Sequence, residues 1–321
     1  MRMVLVTGIG GVVGQGILRN VNALGLDLRV VGTNTIPVSA GNHLCDSVHV
    51  VPYAYDPDYL PAMQDIVART GAELIIPSTD YESYHLALHH AALSAIVAAS
   101  PAEVTGFCLD KYLTYEHFRE HGIPFAPSAL PSAYAGQFTR TVVKPREGRG
   151  SRGIHVDPPF PSDFGDDHVV QQYLPGEELT TTFYVRRDGY LHGLITLSRE
   201  LEQGNTVRCQ VKQAHDEELY ALVEQMILAF PFRGSCNVQS RITDAGIVPF
   251  EINCRISGTN SIRAQFGFPD VEWTVREYLL GEPLSSPNIT SGCAVRVMLD
   301  VIYPGRTLAQ VSGRQDSHRI F

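Results

Sequence analysis

The chain has 321 residues, with 25 lysines and arginines against 34 aspartates and glutamates, a formal charge of 25 − 34 = −9 with histidine neutral. That balance argues against a nonspecific nucleic-acid binder, whose affinity rests on clustered positive charge. At 44% hydrophobic and 18% charged, the composition is that of a globular protein. At roughly 100–200 residues per domain the length predicts two or three domains. No apolar run reaches the roughly 18 residues of a membrane span, and Met1 to Val6 reads as a strand rather than a signal peptide. A soluble, cytoplasmic protein with no membrane partner is expected. The six cysteines, Cys45, Cys108, Cys209, Cys236, Cys254 and Cys293, are far apart with no CxxC pair. That spacing suggests buried thiols rather than a zinc site or a disulfide framework.

From Met3 to about Ala98 short apolar runs alternate with helical patterns: Val4-Leu5-Val6, then Gly14 to Leu24, Leu28 to Val31, Tyr59 to Thr70, and Leu74-Ile75-Ile76. This alternation predicts βαβ units building a parallel sheet. The first strand opens into Thr7-Gly8-Ile9-Gly10-Gly11-Val12-Val13-Gly14, the place where a dinucleotide-binding loop puts its glycines. The fingerprint is incomplete, because the second strand ends Val31-Gly32-Thr33-Asn34 with no acid for a ribose hydroxyl. Three readings stay open: a dinucleotide-binding loop, a purely structural turn, or a turn whose N–H groups at Gly10 and Gly11 hold an anionic part of a substrate. His85 and His89, with His90 beside them, have metal-ligand spacing but no third ligand nearby, and read as helix-surface residues.

A helix is expected over Tyr112 to Glu120, and the Pro/Ser/Ala-rich stretch Pro124 to Ala135 resembles a linker. Beyond it strand-like runs dominate, at 141–143, 168–170, 180–185, 190–197, 236–239 and 247–250, which reads as antiparallel α+β. The expected divisions are 1–105, 106–174 and 175–321.

The stretch 142–154 carries glycines at 148, 150 and 153 with Ser151, between two strands. Such a flap can close backbone N–H groups over phosphates while Lys144, on the entering strand, supplies a fixed charge. Arg140, Lys144, Arg146, Arg149 and Arg152 face only Glu147 within residues 139–155, a local positive field that calls for an anion. Further on, Ile247 to Arg255 alternates so that Glu251, Asn253 and Arg255 share one strand face. Oxygen donors at i and i+2 suit Mg²⁺, and Gln239 on the preceding strand adds a further oxygen across the hairpin. Arg199, Arg208 and Arg263 are candidates to clamp a substrate carboxylate, with ordinary ion pairing as the alternative for each.

Taken in order, Asp110-Lys111, Gly122-Ile123-Pro124, the Lys144 loop, Gln171 to Glu178 and Glu251-Ile252-Asn253-Cys254-Arg255 resemble the ATP-grasp superfamily. The likeness is to the ATP-binding halves of carbamoyl-phosphate synthase large subunits and to stand-alone carboxylate–amine ligases. The resemblance implies an N-terminal Rossmann-like parallel-sheet domain followed by two α+β ATP-grasp subdomains. It implies ATP bound by Lys111, Lys144 and the lid glycines Gly148, Gly150 and Gly153 with Ser151, and adenine between Gln171, Gln172, Tyr173 and Leu174. Glu178 would accept from the ribose hydroxyls, and Lys212 would be a further phosphate lysine. Gln239, Glu251 and Asn253 would hold Mg²⁺ or Mn²⁺, and Arg255 would steady the transferred phosphoryl group. Two positions depart from the pattern: Gln171 stands where many relatives carry glutamate, and Cys254 stands where proline is usual. The implied activity is ADP-forming ligation of a small carboxylate to an amine through an acyl phosphate. Carboxyl or carbamate phosphorylation of the synthase type and a catalytically silent ATP-binding regulator are the alternatives. The expected partners are these small molecules, with a homodimer left open.

Overall fold

The computed structural model describes residues 2–148 and 152–321. Its first unit is a five-stranded, all-parallel sheet in the order β3-β2-β1-β4-β5. The strands are β1 (Arg2–Val6), β2 (Leu28–Asn34), β3 (Ser47–Val50), β4 (Leu74–Ile76) and β5 (Ile96–Val97). Helices α1 (Val12–Ala23), α2 (Tyr59–Thr70) and α3 (Asp80–Leu88) connect them. β1 and β4 are apolar on both faces because helices cover both, so successive residues Leu5 and Val6 pack into separate buried clusters. β3 and β5, four and two residues long, are short edge strands whose apolar pattern the sequence does not display.

Helix α4 (Ala102–Leu109) leads into α5 (Lys111–Glu120) and then into a four-stranded antiparallel sheet, β6-β9-β7-β8. Its strands are β6 (Ser128–Ala129), β7 (Thr141–Pro145), β8 (His155–Val156) and β9 (His168–Gln172). The third sheet is antiparallel and six-stranded, in the order β14-β13-β10-β11-β12-β15. It comprises β10 (Glu178–Val185), β11 (Leu191–Glu202), β12 (Asn205–Val211), β13 (Gly234–Thr243), β14 (Gly246–Asn253) and β15 (Cys293–Val295), backed by α6 (Asp216–Ala229). This is the mixed architecture expected, a parallel sheet followed by antiparallel ones. The core between the third sheet, α6 and α4–α5 is apolar and aromatic, with Phe107, Phe118, Phe183, Phe230 and Phe232 buried together.

After β14 the chain runs through α7 (Asn260–Arg263) and α8 (Asp270–Thr274), then a π-helical turn over Val275–Leu280. Val271, Val275, Tyr278 and Leu279 from this segment join the core that contains Val4, Val6 and Ile17. The C-terminal stretch also folds back on the first sheet, where Arg314 donates to the Leu44 carbonyl at 2.9 Å and pairs with Asp46. The parallel-sheet unit is thus fastened to the rest by late-sequence residues, which fixes the geometry of the cleft between them. Five of the six cysteines are buried. Cys254 turns its thiol inward to Ser100 Oγ at 3.0 Å, beside Cys236 at 3.4 Å, so a core contact replaces whatever turn a proline would make there.

Candidate active site

The cationic side of the cleft is built from α5 and β7. Asp110 caps α5, its Oδ1 accepting from the backbone N–H groups of Tyr112 and Leu113, as an N-cap aspartate does for orphan donors. The same carboxylate pairs with Arg146, at 2.9 Å from its Nε. Lys111 follows the cap; its backbone N–H and its Nζ both donate to the Arg146 carbonyl, at 3.0 and 3.2 Å. One strand later Lys144 is buried, 4% exposed, with Nζ donating to the Phe250 carbonyl at 3.3 Å and lying over the Phe250 ring. Burial pulls its ammonium down to about 8, with Lys111 adding to the fall and Glu251 opposing it. An ammonium so desolvated binds an anion strongly, because the anion restores the charge partner that water would supply.

The acidic side lies on the β13–β14 hairpin. Strand register sets Gln239 opposite Glu251 and Asn237 opposite Asn253, with a bulge after Gln239. The three expected side chains come together: Asn253 Nδ2 donates to Glu251 Oε1 at 3.3 Å, and Gln239 Nε2 lies 3.4 Å from both Glu251 Oε1 and Asn253 Oδ1. Burial acts to raise the Glu251 carboxyl, but the attraction of Lys111 and Lys144 outweighs it and holds the group below the ordinary glutamate range. Arg199 on β11 reaches into the cluster, donating to Gln239 Oε1 at 2.7 Å and pairing with Glu178.

The third wall is the carboxyl end of the parallel sheet, the usual ligand-binding edge of such sheets. Gly8 adopts φ +57°, and a Cβ on Gly14 would lie 2.5 Å from the Gly8 carbonyl oxygen. These glycines therefore serve the close strand-to-helix turn. After β4, Thr79 caps α3, and Glu82 accepts from both Thr7 Oγ1 and Thr79 Oγ1 at 2.8 Å. Asp80, at the first position of α3, pairs with Arg255 across the cleft, Oδ2 accepting from Nε at 3.0 Å and from Nη2 at 2.9 Å.

These walls enclose one cavity of about 710 Å³. It is lined by the cations Lys111, Lys144, Arg152, Arg199, Arg255 and Arg296 and by the acids Asp80, Glu82 and Glu251. Gln239, Asn253, Gly148 and Gly11 also line it. That volume suits a nucleotide-sized ligand together with a small one. The Glu251 carboxylate and the Asn253 amide oxygen beside two lysines fit a Mg²⁺ ion, which takes few protein oxygens and fills its shell from phosphate and water, while Gln239 turns its Oε1 to Arg199 and its Nε2 to the other two.

Several sequence-based candidates fall elsewhere. Arg263 is no substrate clamp: it is 0% exposed, and both it and Asp270 are sealed in an ion pair, with Ser257 and Thr259 hydroxyls satisfying Nη1. Arg208 is likewise corrected, an exposed surface residue paired with Glu200. The positive field of the hairpin is smaller than the arginine count suggests, because Asp157 pairs with Arg140 and Asp110 with Arg146. Gly10 packs against Asn34 instead of lining the cavity, and its carbonyl accepts from Gln15. Gln171 is buried and donates to Ser128 Oγ, and Tyr173 lies under the Arg140 guanidinium at 3.9 Å. Gln172 is exposed and Leu174 partly buried. Glu178 meets Arg199 and Arg241, and Lys212 meets Glu177 at 3.0 Å. Gly153 takes φ +66° against Pro145. Arg149, Gly150 and Ser151 lie outside the described residues. His85 sits on α3, with His89 and His90 exposed at its end. Asp80, Glu82, Arg296 and the tyrosines Tyr53 and Tyr55 at the cavity rim were not singled out from sequence.

The lysines of α5 and β7 face the Glu251 hairpin across a nucleotide-sized cleft, an arrangement of the ATP-grasp type. Residues 108–259 match the family described as the ATP-grasp domain, and the chain carries such a domain. No curated protein matches it in sequence. Among solved structures it is similar to an ADP complex of N5-carboxyaminoimidazole ribonucleotide synthetase, with a TM-score of 0.76 at 12% identity, covering 99% of this chain and 91% of that one. The ADP-complexed N5-carboxyaminoimidazole synthetase of Staphylococcus aureus gives 0.74 at 13%, covering 89% and 79%. The biotin carboxylase domain of the Hydrogenobacter thermophilus 2-oxoglutarate carboxylase, with MgADP, ADP and bicarbonate, gives 0.68 at 16%, covering 88% and 71%. At such identities the likeness is one of fold.

Proposed function

We propose that the protein is an ADP-forming ligase that activates a small carboxylate as an acyl phosphate for attack by an amine. The observation that carries this reading is the convergence of Lys111 and Lys144 with Gln239, Glu251, Asn253 and Arg255 on one cavity. A carboxylate is a poor electrophile because its charge is delocalised and oxide is a bad leaving group. In the proposed sequence a carboxylate oxygen takes the γ-phosphoryl group of ATP and ADP departs. The amine then attacks the acyl carbon and inorganic phosphate leaves, with the amine proton passing to solvent or phosphate. Phosphoryl transfer asks the protein mainly for alignment and charge neutralisation. Lys111 and Lys144 would hold the phosphates, Arg255 the group in flight, and the glycine loop from Gly148 to Gly153 would cover them, keeping water from the acyl phosphate. Mg²⁺, held by Glu251 and Asn253 with Gln239, would supply charge neutralisation of the triphosphate. Glu178 remains the proposed ribose contact, the run 171–174 the proposed adenine contacts and Lys212 a further phosphate lysine, with 1–105, 106–174 and 175–321 the proposed subdivision.

A second reading, phosphorylation of bicarbonate or carbamate, gains support from the bicarbonate present in the Hydrogenobacter complex. One experiment separates the two: ADP release from MgATP, followed with bicarbonate alone and with a panel of small acids and amino acids. The ligase reading expects release only when a carboxylate and an amine are supplied together. Release with bicarbonate alone favours the second reading, and no release under any combination overturns both.

A further inference from the structure

We propose that Asp80, on the N-terminal parallel-sheet unit, is a positioning residue for phosphoryl transfer, holding Arg255 at the angle from which its guanidinium meets the transferring group. The inference rests on the reading above that Arg255 contacts that group. Asp80 and Arg255 lie 175 positions apart in sequence, yet Asp80 Oδ2 accepts from Nε and Nη2 together, and Nη1 donates to the Ile256 carbonyl at 3.1 Å. A guanidinium has five N–H donors. Three are committed to the protein here, which leaves two for a ligand and fixes the plane in which they point. Both partners line the cavity and both are largely shielded, at 13% and 15% side-chain exposure. The pair is therefore screened less than a surface bridge, and it stands at the wall of a reaction chamber rather than in a sealed core.

Asp80 is itself held in place. It is the first residue of α3, directly after the Thr79 cap, and Thr79 is tied by its hydroxyl to Glu82, which also accepts from Thr7. Arg255, in contrast, sits past the end of β14 with no backbone ladder of its own. Without the carboxylate, a long flexible cation in a cavity also lined by Lys111, Lys144 and Arg199 would turn toward Glu251, the acid four residues before it on the same cavity wall. Preorganised donors gain their catalytic worth from not having to reorient as charge develops. Asp80 supplies that preorganisation from the other side of the cleft. The N-terminal unit then contributes to the phosphoryl step as well as to enclosing the cavity.

The test needs no knowledge of the acid or the amine. MgADP with aluminium fluoride mimics the transferring phosphoryl group, and calorimetry compares its uptake with that of MgADP alone. In the wild-type protein the fluoride should tighten nucleotide binding. In Asp80→Asn that tightening should shrink by about 10²-fold, the usual cost of a misplaced group, while affinity for MgADP alone changes by less than about twofold. Asp80→Glu, which keeps the charge but shifts the carboxylate by one methylene, should lose an intermediate amount. The double variant Asp80→Asn/Arg255→Gln should bind the mimic no more weakly than Arg255→Gln alone, because the two share one function. Retention of the full tightening by Asp80→Asn, or full additivity in the double variant, overturns the inference and leaves the nucleotide reading standing. Failure of the wild-type protein to take up MgADP removes the nucleotide reading and the inference with it.

Discussion

Arg255 and Arg263 stand close together in sequence, and each grips an aspartate with Nε and Nη2, yet the two pairs differ in every consequence. Arg263 and Asp270 are 0% exposed, and hydroxyls of Ser257, Thr259 and Ser235 satisfy the donors and acceptors left over. Sealed from solvent, the guanidinium is out of a ligand's reach, and the pair ties α7 to α8. Arg255 and Asp80 join two different units of the chain at the cavity wall, and part of the guanidinium is left unclaimed. The same residue type in the same pairing is structural where it is sealed in the core, and available for chemistry where it lines a cavity.

The difference can be broken from the Arg263 side first. Arg263→Ala strands a buried carboxylate and should cost about 3–5 kcal/mol of stability, measured by urea unfolding, while nucleotide affinity per folded molecule stays as in the wild type. Arg255→Gln should do the opposite. It should slow turnover by about 10²–10³-fold, roughly 3 kcal/mol, as loss of one oriented transition-state donor does, with little change in the unfolding midpoint. A smaller effect distinguishes Lys144 from either arginine. Burial holds its ammonium down at about 8, and a triphosphate bound as proposed needs the charged form. MgATP affinity should therefore be level with respect to this group below pH 8 and fall by about tenfold, or 1.4 kcal/mol, per unit above it. Calorimetry at pH 7, 8 and 9 measures this, and Lys144→Met should abolish the slope. Arg208→Ala, at an exposed pair with Glu200, should change stability by under about 0.5 kcal/mol and leave binding untouched.

What the sequence discloses follows how local the determinant is. Glu251 and Asn253 share a face because strand side chains alternate, although Arg255, expected on the same face, lies past the strand's end; Lys144 stands out as a cation inside an apolar run, and both signals fit within ten residues. The helix Tyr59 to Thr70 is legible from its periodicity alone, and the structure places it at those bounds. β3 and β5 are too short to carry a period. Arg140 and Arg146 look like free charge until the fold brings Asp157 and Asp110 to them. Asp80 and Arg296 carry no local mark at all, since what makes them notable is a partner or a cavity supplied by distant chain. Arg296, for one, donates to the Gly258 carbonyl at 2.8 Å and lines the cavity. Pairings across long sequence separation are set by tertiary packing, and a single sequence displays only the residue types.

In the proposed function a triphosphate lies between the buried lysines of α5 and β7 and the Glu251–Asn253 cluster of the β13–β14 hairpin. Titration of MgATP into the wild-type protein, Lys144→Met and Glu251→Gln by calorimetry tests it most directly. Saturable uptake of one nucleotide per chain by the wild type, weakened by about tenfold or more in each variant, a loss of about 1.4 kcal/mol, is the predicted result. Absence of uptake by the wild type, or unchanged affinity in both variants, would contradict it.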